Sequence, residues 1–159
     1  MPILQAQHIT KTYRVDSRVI PVLVDVSLTV EAGEFVIISG SSGSGKTTLL
    51  TVLSGLDHPT SGQVSIDGRD ITDASEAALA PLRNRVIGFV FQSFHLVPSM
   101  TAVENVMFPA ELNGDPDAAD RASQLLARVG LSGRAGNLPS QLSGGEKQRV
   151  GIARTLLKN

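Results

Sequence analysis

No cysteine or tryptophan occurs among the 159 residues, and tyrosine occurs once. Without cysteine there is no disulfide framework and no thiolate chemistry, which is compatible with the cytosol. Neither sign of charge is in excess: 14 Lys and Arg stand against 15 Asp and Glu, for a net charge of −1. No global basic field therefore draws the chain to nucleic acid or anionic lipid, and no nucleic-acid partner is expected. Long apolar runs are missing too, and none approaches the ~20 residues of a membrane span. The opening segment MPILQAQHITKTYR lacks the apolar core of a signal peptide. If the protein works at a membrane, a partner must supply the spans. With 42% hydrophobic and 18% charged residues, the composition suits a folded domain and argues against disorder. The length is enough for one ordinary domain with a real core.

The most informative stretch is EFVIISGSSGSGKTTLLTVLSGL, Glu34 to Leu56. It contains Gly40-x-x-x-x-Gly45-Lys46-Thr47, the phosphate-binding loop pattern. The glycines Gly40, Gly43 and Gly45, with Ser41, Ser42 and Ser44 among them, let successive N–H groups turn toward one point. Those groups and the positive end of the following helix suit a row of phosphate oxygens. Lys46 would bring a point charge to the β- and γ-phosphates. The Thr47 hydroxyl would hold Mg²⁺, with Thr48 beside it. Phe35-Val36-Ile37-Ile38 reads as a parallel strand buried on both faces. Leu49, Leu50, Val52, Leu53 and Leu56 recur at helical spacing after the loop. A flexible Gly/Ser linker would not be bracketed in this way.

Elsewhere, Ile3 to Arg14 alternates loosely and reads as an edge strand. Val22 to Val30 reads as a further strand, with no edge assigned to it, and Glu31-Ala32-Gly33 as a turn. Asp67-Gly68 between alternating runs predicts a tight hairpin. Ser75 to Arg85 reads as a short helix despite Pro81, and Val86 to Phe91 as a second buried strand ending at Gln92. Pro98 to Pro139 is expected to be mostly helical. Thr101 and Glu104 have capping-box spacing, followed by Val103, Val106, Met107 and Ala110 on one face. Asp115-Pro116 is placed to open a further helix and Gly130 to end it.

A second distinctive stretch is Leu142-Ser143-Gly144-Gly145-Glu146-Lys147-Gln148-Arg149. Ser143 and Glu146 again have capping-box spacing, ahead of Val150, Ala153, Leu156 and Leu157. Taken alone this is a capped helix after a loop. Two glycines weaken a first helical turn, yet they leave its N–H groups bare for an anion. Lys147, Arg149 and Arg154 read as a solvated face. His8, His58 and His95 have no metal-ligand spacing.

The series GSSGSGKTT, then Phe91-Gln92, then LSGGEKQR resembles the nucleotide-binding subunit of ABC transporters. Gly88 to Leu112 is most similar to the lipoprotein-releasing and macrolide-exporter group. The resemblance covers essentially the whole chain. It implies an α/β fold: a P-loop NTPase core with an antiparallel β subdomain and a helical insert. The divisions would be 1–92 for the nucleotide-binding core, 93–140 for the helical subdomain and 141–159 for the signature helix. It also implies ATP and Mg²⁺ as cofactors. Tyr13 would stack on adenine, and Gln92 would reach toward Mg²⁺ and the attacking water. Ser143, Gly144 and Gly145 would meet the γ-phosphate of ATP held by a second copy, making a two-fold dimer with ATP as its glue. A transmembrane permease subunit would be the partner, with the chain cytoplasmic and peripheral on the inner face of the membrane. The alternatives are a soluble ABC-type ATPase acting in DNA repair or translation, and a non-hydrolysing nucleotide-binding fragment. The compact stretch between Gln92 and Leu142 favours the transporter.

One part of the family pattern is not met. After the signature helix the family continues into an apolar strand ending in Asp-Glu, then a switch histidine, and no match for these occurs here. Glu104, Glu111 and Glu146 are better explained by helix positions. The expectation is a C-terminally truncated domain that carries binding determinants but an incomplete set for activating water, and so hydrolyses weakly alone. Without that strand, Phe35 to Ser39 would keep open pairing groups. A neighbouring chain would fill the gap, or the sheet would rearrange.

Overall fold

A computed structural model describes residues 2–157. They form two compact units, one ending at Arg83 and one starting at Asn84. The sequence placed a division after Gln92, nine residues further on.

The first unit is built on a four-stranded antiparallel sheet of order β2-β1-β3-β4. Its strands are β1 (Pro2–Val15), β2 (Arg18–Glu31), β3 (Ser61–Ile66) and β4 (Arg69–Asp70). β1 is thus an interior strand, not the expected edge, and β2 takes the edge. Alternation buries Ala6, Ile9, Leu23, Val64 and Ile66. The β1–β2 register shifts between Ala6 and Ile9, where His8 and, on the other strand, Asp25 have φ of 52° and 51°. Gly62 of β3 meets this bulge so closely that a Cβ would lie 2.5 Å from the His8 carbonyl oxygen. The Asp67-Gly68 hairpin forms as expected, with φ of 50° and 72°.

Helix α1 (Lys46–Leu53) follows the glycine-rich loop and buries Leu49, Val52 and Leu53. It is shorter than the apolar spacing predicts, ending at Ser54, and Leu50 and Leu56 are exposed. Helix α2 (Glu76–Arg85) carries Pro81 inside it and buries Leu79 and Leu82. Arg83 ties α2 back by donating to the Gly55 carbonyl (2.7 Å), and it pairs with Glu76 within the same helix.

The two expected buried parallel strands are not formed. Phe35 to Ile38 and Val86 to Phe91 are irregular, with Phe35 86% and Ile37 75% exposed. An uninterrupted apolar run becomes a strand only where neighbours offer pairing groups on its edges. Among the described residues no strand lies beside either segment.

The second unit packs α3 (Ala102–Leu112), α4 (Ala118–Arg128) and α5 (Gly144–Leu157) around one cluster. Val106, Ala122, Leu126, Leu131, Val150 and Ala153 form its centre. Thr101 and Glu104 make the predicted capping box at α3. At α4 the predicted cap sits two residues outside: Asp117 precedes the helix without a side-chain bond, and Asp115 accepts from the Asp117 N–H (2.9 Å). Gly130, at φ 73°, follows the end of α4 as expected. On α5 the buried residues are Val150, Gly151, Ala153 and Leu157, while Leu156 is exposed, contrary to the periodicity.

Candidate nucleotide-binding site

In the first unit the glycine-rich loop runs onto α1. Gly45 takes φ 87° immediately before the helix. A Cβ there would lie 2.9 Å from the Val22 carbonyl oxygen, so both conformation and space require glycine. A Cβ on Gly40 would enter the loop itself, 2.8 Å from Ser44 Oγ. Lys46 curls back over the loop. Its Nζ donates to the carbonyls of Gly40 (2.9 Å) and Ser41 (2.7 Å), and Ser44 Oγ lies 3.4 Å away. The ammonium thus sits at the mouth of the loop, held by neutral oxygens only. Ser41, Ser42, Gly43, Ser44 and Thr47 are exposed around it. The first-turn N–H groups of α1 have no partners within the helix. A loop whose interior a methyl group would fill, with a cation at its mouth, fits a phosphate chain.

Tyr13 lies in the same unit. Its hydroxyl donates to Asp57 Oδ2 (2.8 Å), and the Lys11 ammonium sits 5.0 Å from its ring centre. The Thr48 hydroxyl also faces the phenol oxygen. The hydrogen bond to Asp57, followed by burial, raises the Tyr13 pKa. Burial pushes the Asp57 carboxyl upward, but bonds from Lys11 and Tyr13 outweigh it and leave it below the ordinary aspartate range.

In the second unit, Gln92 is exposed in a turn. The residues after it are held tightly. Phe94 and His95 both have positive φ, 58° and 43°, an unfavourable conformation for such side chains. Arg154 of α5 donates from Nη2 to the Phe94 carbonyl (2.9 Å) and from Nη1 to the His95 carbonyl (2.8 Å). Thr155 Oγ1 donates to the Phe89 carbonyl (3.2 Å). Gly88 lies so close that a Cβ would fall 2.0 Å from Thr155 Cγ2. Arg154 is therefore no solvated-face residue. Partial burial lowers its pKa, and the two carbonyls satisfy its guanidinium. Helical spacing could not show this, because its acceptors lie 59 and 60 residues away. Asn105, also missed by pattern, is 1% exposed. It anchors the next segment by accepting from the Val97 N–H (2.7 Å) and donating to three carbonyls.

The start of α5 is open. Ser143 and Glu146 cap each other: Ser143 N–H donates to Glu146 Oε2 (2.7 Å) and Glu146 N–H to Ser143 Oγ (3.3 Å). The Ser143 N–H, then its hydroxyl, lowers the Glu146 pKa, so that carboxylate is committed to the cap. A Cβ on Gly144 would meet nothing within 4 Å, and one on Gly145 only Arg149 Nη1 at 3.7 Å. Among the described residues no group of three His, Asp or Glu converges as a metal site. Nor is any helix long and apolar enough to cross a membrane. The structure thus groups Tyr13 and Thr48 with the phosphate loop in one unit, and Gln92 with Ser143 to Gly145 in the other.

The ABC transporter family model matches residues 23–159. The chain is 51% identical to the macrolide export ATP-binding/permease protein MacB of Syntrophobacter fumaroxidans, over all of this chain and 23% of that protein. It is 47% identical to the lipoprotein-releasing system ATP-binding protein LolD of Alcanivorax borkumensis, over 98% of this chain and 69% of that one. Among solved structures, the ATP-binding cassette MJ0796, a dimer in a post-hydrolysis state bound to ADP and Pi, is 41% identical with a TM-score of 0.88. That match covers 98% of this chain and 70% of the other. The chain spans about a quarter of the length of the MacB proteins it matches. A P-loop at the head of α1, a second glycine-bearing helix start at α5, and these matches along nearly the whole chain lead to one conclusion: the chain belongs to the ABC transporter family.

Proposed function

We propose that this chain binds ATP as the nucleotide-binding part of a transport-coupled ATPase of the exporter or lipoprotein-releasing kind. The observation that carries the reading is the Lys46 ammonium at the mouth of the glycine loop, held by uncharged oxygens. Exchanging a carbonyl for a phosphate oxygen turns a neutral acceptor into a charged one, which strengthens the bond. The bare N–H groups of the first turn of α1 take further phosphate oxygens, and Gly40, Ser41, Ser42, Gly43, Ser44, Gly45 and Thr48 shape the cradle. Thr47 would hold Mg²⁺, which neutralises charge on the β- and γ-phosphates. Tyr13 offers a ring face to adenine.

The open start of α5 supports the second half of the reading. Gly144 and Gly145 present N–H groups that no side chain of their own shields, with the Ser143 side chain beside them. In a two-fold pair each copy would lay them on the phosphate held by the other, as the dimeric state of the MJ0796 cassette makes reasonable. Separation after hydrolysis would pass to a permease partner through the helices after Gln92. Glu104 and Glu146 are both spent in capping boxes. The MacB and LolD relatives favour transport over the DNA-repair or translation alternative.

Titration of the chain with a fluorescent ATP analogue tests this. Lys46→Ala should weaken binding at least tenfold, and Ser143→Glu should abolish ATP-dependent pairing in sedimentation while leaving monomer binding intact. Equal affinity for wild type and Lys46→Ala would refute the loop assignment.

A further inference from the structure

The sole tyrosine is held by two charged residues that carry no motif. Lys11, on β1 two residues before Tyr13, is 9% exposed. Its Nζ donates to Asp57 Oδ1 (2.7 Å) and to the His58 carbonyl (2.6 Å), and it lies 5.0 Å from the Tyr13 ring centre. The other Asp57 oxygen accepts the Tyr13 hydroxyl at 2.8 Å. The His58 N–H also donates to Asp57 Oδ1 (2.8 Å), which fixes that carboxylate just beyond the end of α1. The three side chains close a ring of contacts: ammonium to carboxylate, carboxylate to phenol, phenol face to ammonium. Nothing in this ring is free to rotate without breaking a charge-assisted bond.

Two consequences follow. The cation over the Tyr13 ring occupies a stacking surface, so a planar ligand must use the rest of the 39% exposed side chain. Anchoring through Asp57, at the foot of α1, sets how far that surface stands from the phosphate loop at the head of the same helix. A nucleotide binds well only if base and phosphates are met at their own fixed separation. We propose that Lys11 and Asp57 are positioning residues that hold Tyr13 as a one-sided base platform at a set offset from Gly40 to Thr48. This rests on the reading of the site as an ATP site.

The test uses the chain with two probes, ATP and inorganic tripolyphosphate. Both carry the phosphate chain, and only one carries a base. Because Tyr13 is the sole tyrosine and tryptophan is absent, intrinsic tyrosine emission reports the platform directly. ATP should quench it and tripolyphosphate should not. Tyr13→Ala should weaken ATP at least about fivefold, the lower end for loss of one base–aromatic stack, with tripolyphosphate unchanged. Lys11→Met and Asp57→Asn should each weaken ATP about three- to tenfold, leave tripolyphosphate within about twofold, and have no further effect on a Tyr13→Ala background. Should Lys11→Met melt out of range, Asp57→Asn carries the same comparison, because its shape matches the native side chain. Equal losses for both probes, or undiminished losses without Tyr13, would overturn the positioning role. A wild-type chain that binds tripolyphosphate as tightly as ATP would overturn the platform and spare the phosphate loop. Binding of neither probe would overturn the ATP reading itself.

Discussion

Replacement of Asn105 by alanine should unsettle the segment that follows Gln92. Asn105 is buried at the start of α3, and its amide is fully used. Oδ1 accepts from the Val97 N–H at 2.7 Å; Nδ2 donates to the carbonyls of Val97 (3.1 Å), Met100 (2.9 Å) and Thr101 (3.0 Å). Alanine strands the Val97 N–H and removes a donor from three carbonyls. The Thr101 carbonyl keeps a second bond, from the Asn105 backbone N–H at 2.9 Å, so its loss is small. An abandoned buried donor costs about 1–3 kcal/mol, and each lost neutral bond about 0.5–1.5 kcal/mol. The sum is about 2–6 kcal/mol. In a chain of this size 1 kcal/mol moves the melting midpoint by roughly 2–4 °C, so a fall of at least ~4 °C is expected. Circular dichroism at 222 nm during a thermal ramp measures it, since α3 to α5 dominate the helical signal. Asn105→Asp should do no better, because its carboxylate would face three carbonyl oxygens in a buried site. A loss below about 1 kcal/mol for Asn105→Ala would refute the claim that this amide anchors residues 97–101.

Two further outcomes are expected. Arg154→Met leaves the Phe94 and His95 carbonyls without their donor while both residues stay at positive φ. Amide exchange across 92–96 should then quicken about tenfold or more, with Thr101 to Leu112 unchanged, and protected exchange at 92–96 would show that the clamp is not needed. The melting midpoint should also depend on pH in a signed way. Glu104 and Glu146 lie below their ordinary 4.5, first through the Thr101 and Ser143 N–H groups. Asp57 lies below 3.8, where bonds from Lys11 and Tyr13 outweigh burial. A depressed carboxylate stabilises the fold above its unfolded pKa and loses that contribution as pH falls through the folded value. Tyr13 is raised above 10.0, first by its bond to Asp57, so its contribution holds below 10 and disappears as pH rises through the folded value. Melts should therefore be flat from about pH 5 to 9 and fall on both sides, the acid limb softened in Glu104→Gln/Glu146→Gln. A midpoint that rises on acidification below about pH 4 would contradict these assignments.

Local chemistry alone accounts for a good part of what was legible in the residues. Gly45-Lys46 before α1, the Asp67-Gly68 hairpin, both capping boxes and the Gly130 stop are short-range devices. Each depends on backbone angles and on partners within three or four residues, so the sequence determines them without help. The glycine-rich loop belongs with them, and so does the family. What tertiary structure decided depends on groups far apart in the chain. Phe35 to Ile38 and Val86 to Phe91 carry every local mark of buried strands, yet a strand needs a neighbour's N–H and C=O, and among the described residues none lies alongside. Arg154 reads as a surface arginine until the fold brings it two carbonyls from 59 and 60 residues away. Lys11, Asp57 and Tyr13 span 46 residues and become one assembly only when β1 meets the loop after α1. Periodicity reports which face a side chain takes; only the folded chain reports which distant atoms wait there.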